Sequence, residues 1–189
     1  MTLVSLMGMF ACNEAKQNNE GEANEDSKEQ AEEANEEKFD DDMEKDADWV
    51  ANVVAANYGE IKFAGLANER SANPEVKQIA TMLVTDHTKT LNELKAFAQG
   101  KTISVPVEED DEARRKTERF SDEAGKDFDK KWCKEMIDRH EESIKKFERR
   151  AEKTEDADLK AWINKTLPHL RMHLEKLEAC HEKIKDSNS

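Results

Sequence analysis

Leu159, Ile163, Thr166, Leu170, His173, Leu177, Cys180 and Ile184 recur at alternating spacings of four and three. Such a seam is buried when an α-helix packs against partner helices. His173 sits inside it, and His169 lies one turn before, so both imidazoles reach the same side. An isolated helix of this kind is marginal in water. The rest of the chain must therefore supply partners.

Three upstream segments do so. Trp49, Val50, Val53, Val54, Ile61, Phe63, Ala64, Leu66 and Ala67 set a helical period that ends near Arg70, and order is expected to begin near Asp48. Glu60 falls in line with Val50, Val53, Asn57, Ala64 and Ala67. Asn73-Pro74-Glu75 reads as an N-cap, a first helical position and a dipole-favourable acid. The second seam is Val76, Ala80, Leu83, His87, Thr90, Leu94 and Phe97, closed by Gly100. The third, over residues 127–152, is Cys133, Ile137, His140, Ile144, Phe147 and Ala151. Thr154 or Asp156 can cap the last helix, in which Pro168 is expected to introduce a kink.

The connection from Gly100 to Lys126 is the longest. Ile103-Ser104-Val105-Pro106 reads as extended, and a short helix is expected within residues 108–120. A link of this length carries the chain back along a bundle and makes the second and third helices parallel. The predicted architecture is an all-α four-helix bundle over residues 48–186.

Only three prolines and six glycines punctuate the chain, which argues against an all-β fold. The net charge of −14 is mostly local: residues 13–42 hold thirteen Asp and Glu against three Lys. The bundle is nearly balanced and has no basic face, which argues against nucleic-acid binding.

Residues 1–11 form an uncharged apolar run ending at Met9-Phe10-Ala11-Cys12. A small residue before cysteine at the end of such a run is the pattern of a bacterial lipobox, where cleavage leaves Cys12 as the lipid-bearing first residue. No Lys or Arg precedes the run, and Met9 stands where Leu is usual; the other reading is a frayed start with a chance cysteine. Residues 13–47 lack a large apolar face and are expected to form a disordered, self-repelling tether. The expected product is a lipid-anchored protein of the bacterial cell envelope, periplasmic or surface-exposed.

Antiparallel helices keep a fixed register, and one register levels both His140 with His173 and Cys133 with Cys180. The same reasoning sets Glu60 beside His87. Glu60, His87, His140 and His173 are therefore expected at one level of the interior, with His169 as a further ligand. Imidazole and carboxylate bind Zn, Cu, Fe or Mn. Asp86 and Asp138 suit an outer, supporting role. The alternative is a metal-free polar network with Asn57 and Thr90, which makes the domain a non-catalytic envelope or stress-associated interaction module. A di-iron oxidase needs several Glu and two Glu-x-x-His motifs, and only Glu60 meets that need. No Ser-His-Asp arrangement, phosphate loop or CxxC is present, so enzymatic activity is not expected. Cys133 and Cys180 predict a disulfide if exported, the alternative being two buried thiols.

Ala55-Ala56-Asn57-Tyr58-Gly59-Glu60-Ile61, Asn73-Pro74-Glu75-Val76-Lys77, Met82-Leu83-Val84-Thr85-Asp86-His87-Thr88, Phe128-Asp129, Asp138-Arg139-His140 and Leu167-Pro168-His169-Leu170-Arg171-Met172-His173-Leu174 occur in that order. Together they resemble the bacterial domain-of-unknown-function family 4142 over residues 48–184. The resemblance implies an exported, ferritin-like four-helix domain and supplies no activity. Glu60, His87, His140 and His173 match the family's recurrent polar positions, whereas His169, Cys133 and Cys180 look particular to this chain.

Overall fold

A computed structural model describes residues 26–123 and 125–186. The described residues form six helices and no strand: α1 (Ser27–Glu36), α2 (Asp41–Arg70), α3 (Pro74–Gly100), α4 (Asp111–Ser121), α5 (Gly125–Lys153) and α6 (Ala157–Asp186). None of these helices is long and apolar enough to cross a membrane.

The helix ends follow local chemistry. Asn73 Oδ1 accepts from Glu75 N at 2.9 Å, with Pro74 opening α3. Asp156 Oδ1 accepts from the backbone N–H groups of Asp158 and Leu159 at 2.9 and 3.0 Å and starts α6. That helix runs unbroken through Pro168.

Cross-helix pairs fix the directions of the four long helices. Arg150 near the end of α5 donates to Asp46 near the start of α2 at 2.6 Å, while Trp132 near the start of α5 reaches the carbonyl of Phe63 in the later half of α2. α2 and α5 are thus antiparallel. Lys183 with Glu75 and Lys165 with Glu93 make α3 and α6 antiparallel too. The three-residue link between α2 and α3 turns the chain back on itself, so α3 and α5 run parallel across the long connection.

Two hydrophobic clusters fill the interior. One gathers Phe63, Leu83, Phe128, Trp132, Met136 and Leu177 with their neighbours. The other gathers Val50, Leu94, Phe147, Leu159, Ile163 and Leu170. Along each long helix, a buried polar residue falls between the two clusters: Glu60, His87, His140 and His173. All eight seam positions of α6 are buried.

Order begins earlier than the sequence suggests. Residues 13–47 are not a tether throughout: residues 27–36 form α1, and α2 starts at Asp41. Docking of α1 is largely polar. Asn35 is fully buried, donates Nδ2 to the Ser104 carbonyl at 3.0 Å and accepts from Ser104 N at 2.8 Å. It satisfies an extended segment of the long connection, a role that leaves no apolar period. Residues 1–25, including Cys12 and the apolar run before it, lie outside the described residues.

The short helix α4 crosses α2 at Gly59. A Cβ there would lie 2.9 Å from Ala113 Cβ, so the close approach requires the missing side chain.

Candidate metal centre

His87, His140 and His173 come from α3, α5 and α6, and their ring centroids lie 5.4 to 5.5 Å apart. One coordinating nitrogen of each lies within 4.8 Å of the other two. All three residues are buried, His140 to 1% exposure. Among the described residues this is the one group of three or more His, Cys, Asp or Glu side chains that meets that spacing.

Each ring is oriented by one hydrogen bond through one nitrogen. His87 Nδ1 lies 3.0 Å from Asn57 Oδ1. Asn57 spends its Nδ2 on the Val53 carbonyl at 2.8 Å, so its oxygen is the acceptor and His87 Nδ1 carries the proton. His140 Nδ1 donates to the Met136 carbonyl, one turn back, at 2.9 Å. His173 Nε2 donates to Asp86 Oδ2 at 2.9 Å. The opposite nitrogens, His87 Nε2, His140 Nε2 and His173 Nδ1, are buried and have no hydrogen-bond partner in the protein. Such groups are costly to bury without a partner. Three lone pairs converging in one interior, each ring fixed from behind, is the arrangement of imidazole ligands supported by outer hydrogen bonds.

Electrostatics keep those lone pairs available. Burial holds His87 well below the usual imidazole range, and the neighbouring His140 and His173 add to the effect. Burial also lowers His173, against the opposing pull of Asp86.

The other candidates separate. Glu60 reaches the edge of the cluster: its Oε2 lies 3.6 Å from His87 Nε2 and 3.9 Å from His140 Nδ1, and it too has no hydrogen-bond partner in the protein. His169 stays outside. It is exposed and lines a separate hollow of about 50 Å³ with Asp86, Lys165 and His173. Of the two suggested outer carboxylates, Asp86 takes that place, while Asp138 pairs with Lys134 on the surface. The Met136 carbonyl is a supporting group that residue types alone do not disclose. The position four residues before a helical histidine was the available signal.

A cavity of about 170 Å³ opens beside the cluster. Glu60, His87 and His140 line it with Trp49, Val53 and Phe147, and its wall includes the exposed residues Asn52, Ala56 and Lys146.

Cys133 and Cys180 are neighbours, as their shared register predicts. They are not joined, however: both are free and fully buried. The neighbouring Cys180 thiol, together with burial, pushes the Cys133 thiol up. Enclosed in an apolar cluster, the pair is packed as core.

No curated protein and no solved structure matches this chain. A family profile does: that of a domain of unknown function, DUF4142, matches residues 20–180, so it takes in α1 as well as the four long helices. The chain belongs to the domain-of-unknown-function family DUF4142.

Proposed function

We propose that this protein binds one transition-metal ion through His87, His140 and His173. The observation that carries the reading is the set of three buried imidazole nitrogens that lack a partner in the protein while each ring's other nitrogen is hydrogen-bonded. An all-imidazole set favours Zn or Cu, and Fe next; Mn prefers oxygen ligands. Glu60 stands close enough to complete the set or to support it. The four long helices, two antiparallel pairs joined by a long connection, suit a ferritin-like bundle with its metal in the interior.

The chemistry of residues 1–12 supports a lipid anchor at Cys12, and with it a place in the bacterial cell envelope. In that setting the domain holds or hands on a metal at the membrane surface.

The test is metal analysis of untagged protein, followed by melting curves with and without Zn, Cu, Fe or Mn. Binding stabilises the folded state by about 2.7 kcal/mol at a free metal concentration about one hundred times the dissociation constant. His140→Ala and His173→Ala should abolish the shift. If no metal moves the wild-type transition, the histidines form a structural network, and the domain is read as an interaction module.

A further inference from the structure

We infer that the metal held by His87, His140 and His173 keeps a coordination position open toward the cavity beside Glu60, and that a small, neutral, proton-donating ligand, water at rest, occupies it. The inference rests on the metal-binding reading and adds the class of exogenous ligand.

Three features support it. The first is ligand count. Among the described residues only three side chains share the common spacing, and a metal such as zinc with three protein ligands completes its shell with a water or a substrate. The second is access. The cavity is walled by His87 and His140 at one side, and exposed Asn52, Ala56 and Lys146 also line it, so a solvent molecule has a route to the ion. Its volume of about 170 Å³ holds a few small molecules and no large one.

The third is Glu60, which gives the ligand its chemistry. The side chain is 9% exposed, and Oε2 has no hydrogen-bond partner in the protein although it sits 3.6 Å from His87 Nε2. A buried carboxylate oxygen requires a donor. An O–H on the metal, next to His87, supplies one. The same carboxylate disfavours an anion beside it, and Lys146, which also lines the cavity, is already paired with Glu142. Trp49, Val53 and Phe147 add apolar surface to the wall and narrow the space.

The experiment uses the full chain loaded with Cu(II). Equilibrium dialysis first gives copper stoichiometry and affinity, and water-proton relaxation then reports whether water exchanges on the bound ion. Copper should bind one per chain with a relaxation rate well above that of a water-excluded ion. Val53→Phe fills the cavity and should remove the enhancement while copper stays bound; Ser143→Leu, which lines it from α5, does the same should Val53→Phe fail to fold. Full copper occupancy without relaxation enhancement overturns the open position and leaves the metal reading intact. So does an enhancement that appears in Glu60→Gln and not in the wild type, because Glu60 then fills that position itself. Failure to bind copper or any other transition metal sinks the metal reading, and this inference with it.

Discussion

His87 Nδ1 donates a hydrogen bond to the side-chain oxygen of Asn57 at 3.0 Å, and Asn57 cannot turn away because its amide nitrogen donates to the Val53 carbonyl. Two residues of α2 thereby decide which nitrogen of an α3 histidine faces the interior. Second contacts of this type set both tautomer and ring direction at metal sites.

Asn57→Leu should therefore weaken metal binding by about 10- to 100-fold without touching a ligand. Asn57→Asp keeps an acceptor at the same place and should recover most of the affinity. Competition titration against a chromophoric chelator measures both. Equal affinity in Asn57→Leu and wild type would mean that the ring is held by packing alone.

The histidines also set a pH dependence in the metal-free protein. In the folded state burial lowers His87 and His173, whereas in the unfolded chain both titrate near about 6.5. The unfolded state thus binds more protons in the window below that value, and stability must rise with pH across it. Melting temperature in the presence of a chelator should fall as pH drops from about 6.5 toward 5, above the range where carboxylates take over. His87→Gln should flatten that slope. A slope unchanged in this variant would assign the acid sensitivity to other groups.

Metal should steepen the same dependence. Each coordinating nitrogen must be free of its proton, so ligand and proton compete directly. Apparent affinity measured by competition should decline as pH falls through the window in which the histidines take up protons. Because burial holds His87 and His173 below the usual imidazole range, that window lies below about 6.5, and an affinity that stays flat until the carboxylate range near about 4 would point to carboxylate ligation in place of imidazole.

What the sequence discloses depends on which force leaves a period. The four seams were legible because apolar burial repeats every three or four residues, and the same arithmetic brought His87, His140 and His173 to one level. Asn73 and Asp156 were legible as caps because their residue types suit that role. α1 was not, since Asn35 docks by hydrogen bonds to Ser104, and only Ala31 adds buried apolar surface in that helix. Seam position also does not fix side-chain reach. His169 precedes His173 by one turn yet points outward, because α6 advances by a fraction of a turn that leaves it beside the seam. For Cys133 and Cys180, register brought the two together as expected, whereas the expected disulfide is not formed, since a bond depends on geometry and redox state as well.

Those two thiols give a direct measurement. On the native Cys12→Ser protein, alkylation should label neither Cys133 nor Cys180, as both are 0% exposed. After unfolding without reductant, mass analysis should find both labelled. An unlabelled unfolded chain would show that the pair oxidises in the cell and that the free-thiol arrangement is the reduced form of a switchable bond.

The last prediction concerns a charge that no periodicity announced. Glu109, in the link before α4, is 3% exposed and ion-paired with Lys62 of α2, while Arg114 Nε lies 3.8 Å away. Removing one partner from a buried carboxylate leaves a desolvated charge, a costly state. Lys62 is itself half exposed and Arg114 remains, so Lys62→Met should cost only about 1–2 kcal/mol, below the full penalty for breaking a buried pair. For a domain of this size that lowers the melting temperature by about 2–8 °C. Replacing both groups, Lys62→Met with Glu109→Leu, removes the stranded charge and should restore stability to within about 1 kcal/mol of wild type. The loss should concentrate where Gly59 admits α4 against α2, so limited proteolysis of Lys62→Met should cut first in residues 101–110. A double variant no more stable than Lys62→Met would show that Glu109 holds α4 through Arg114 instead.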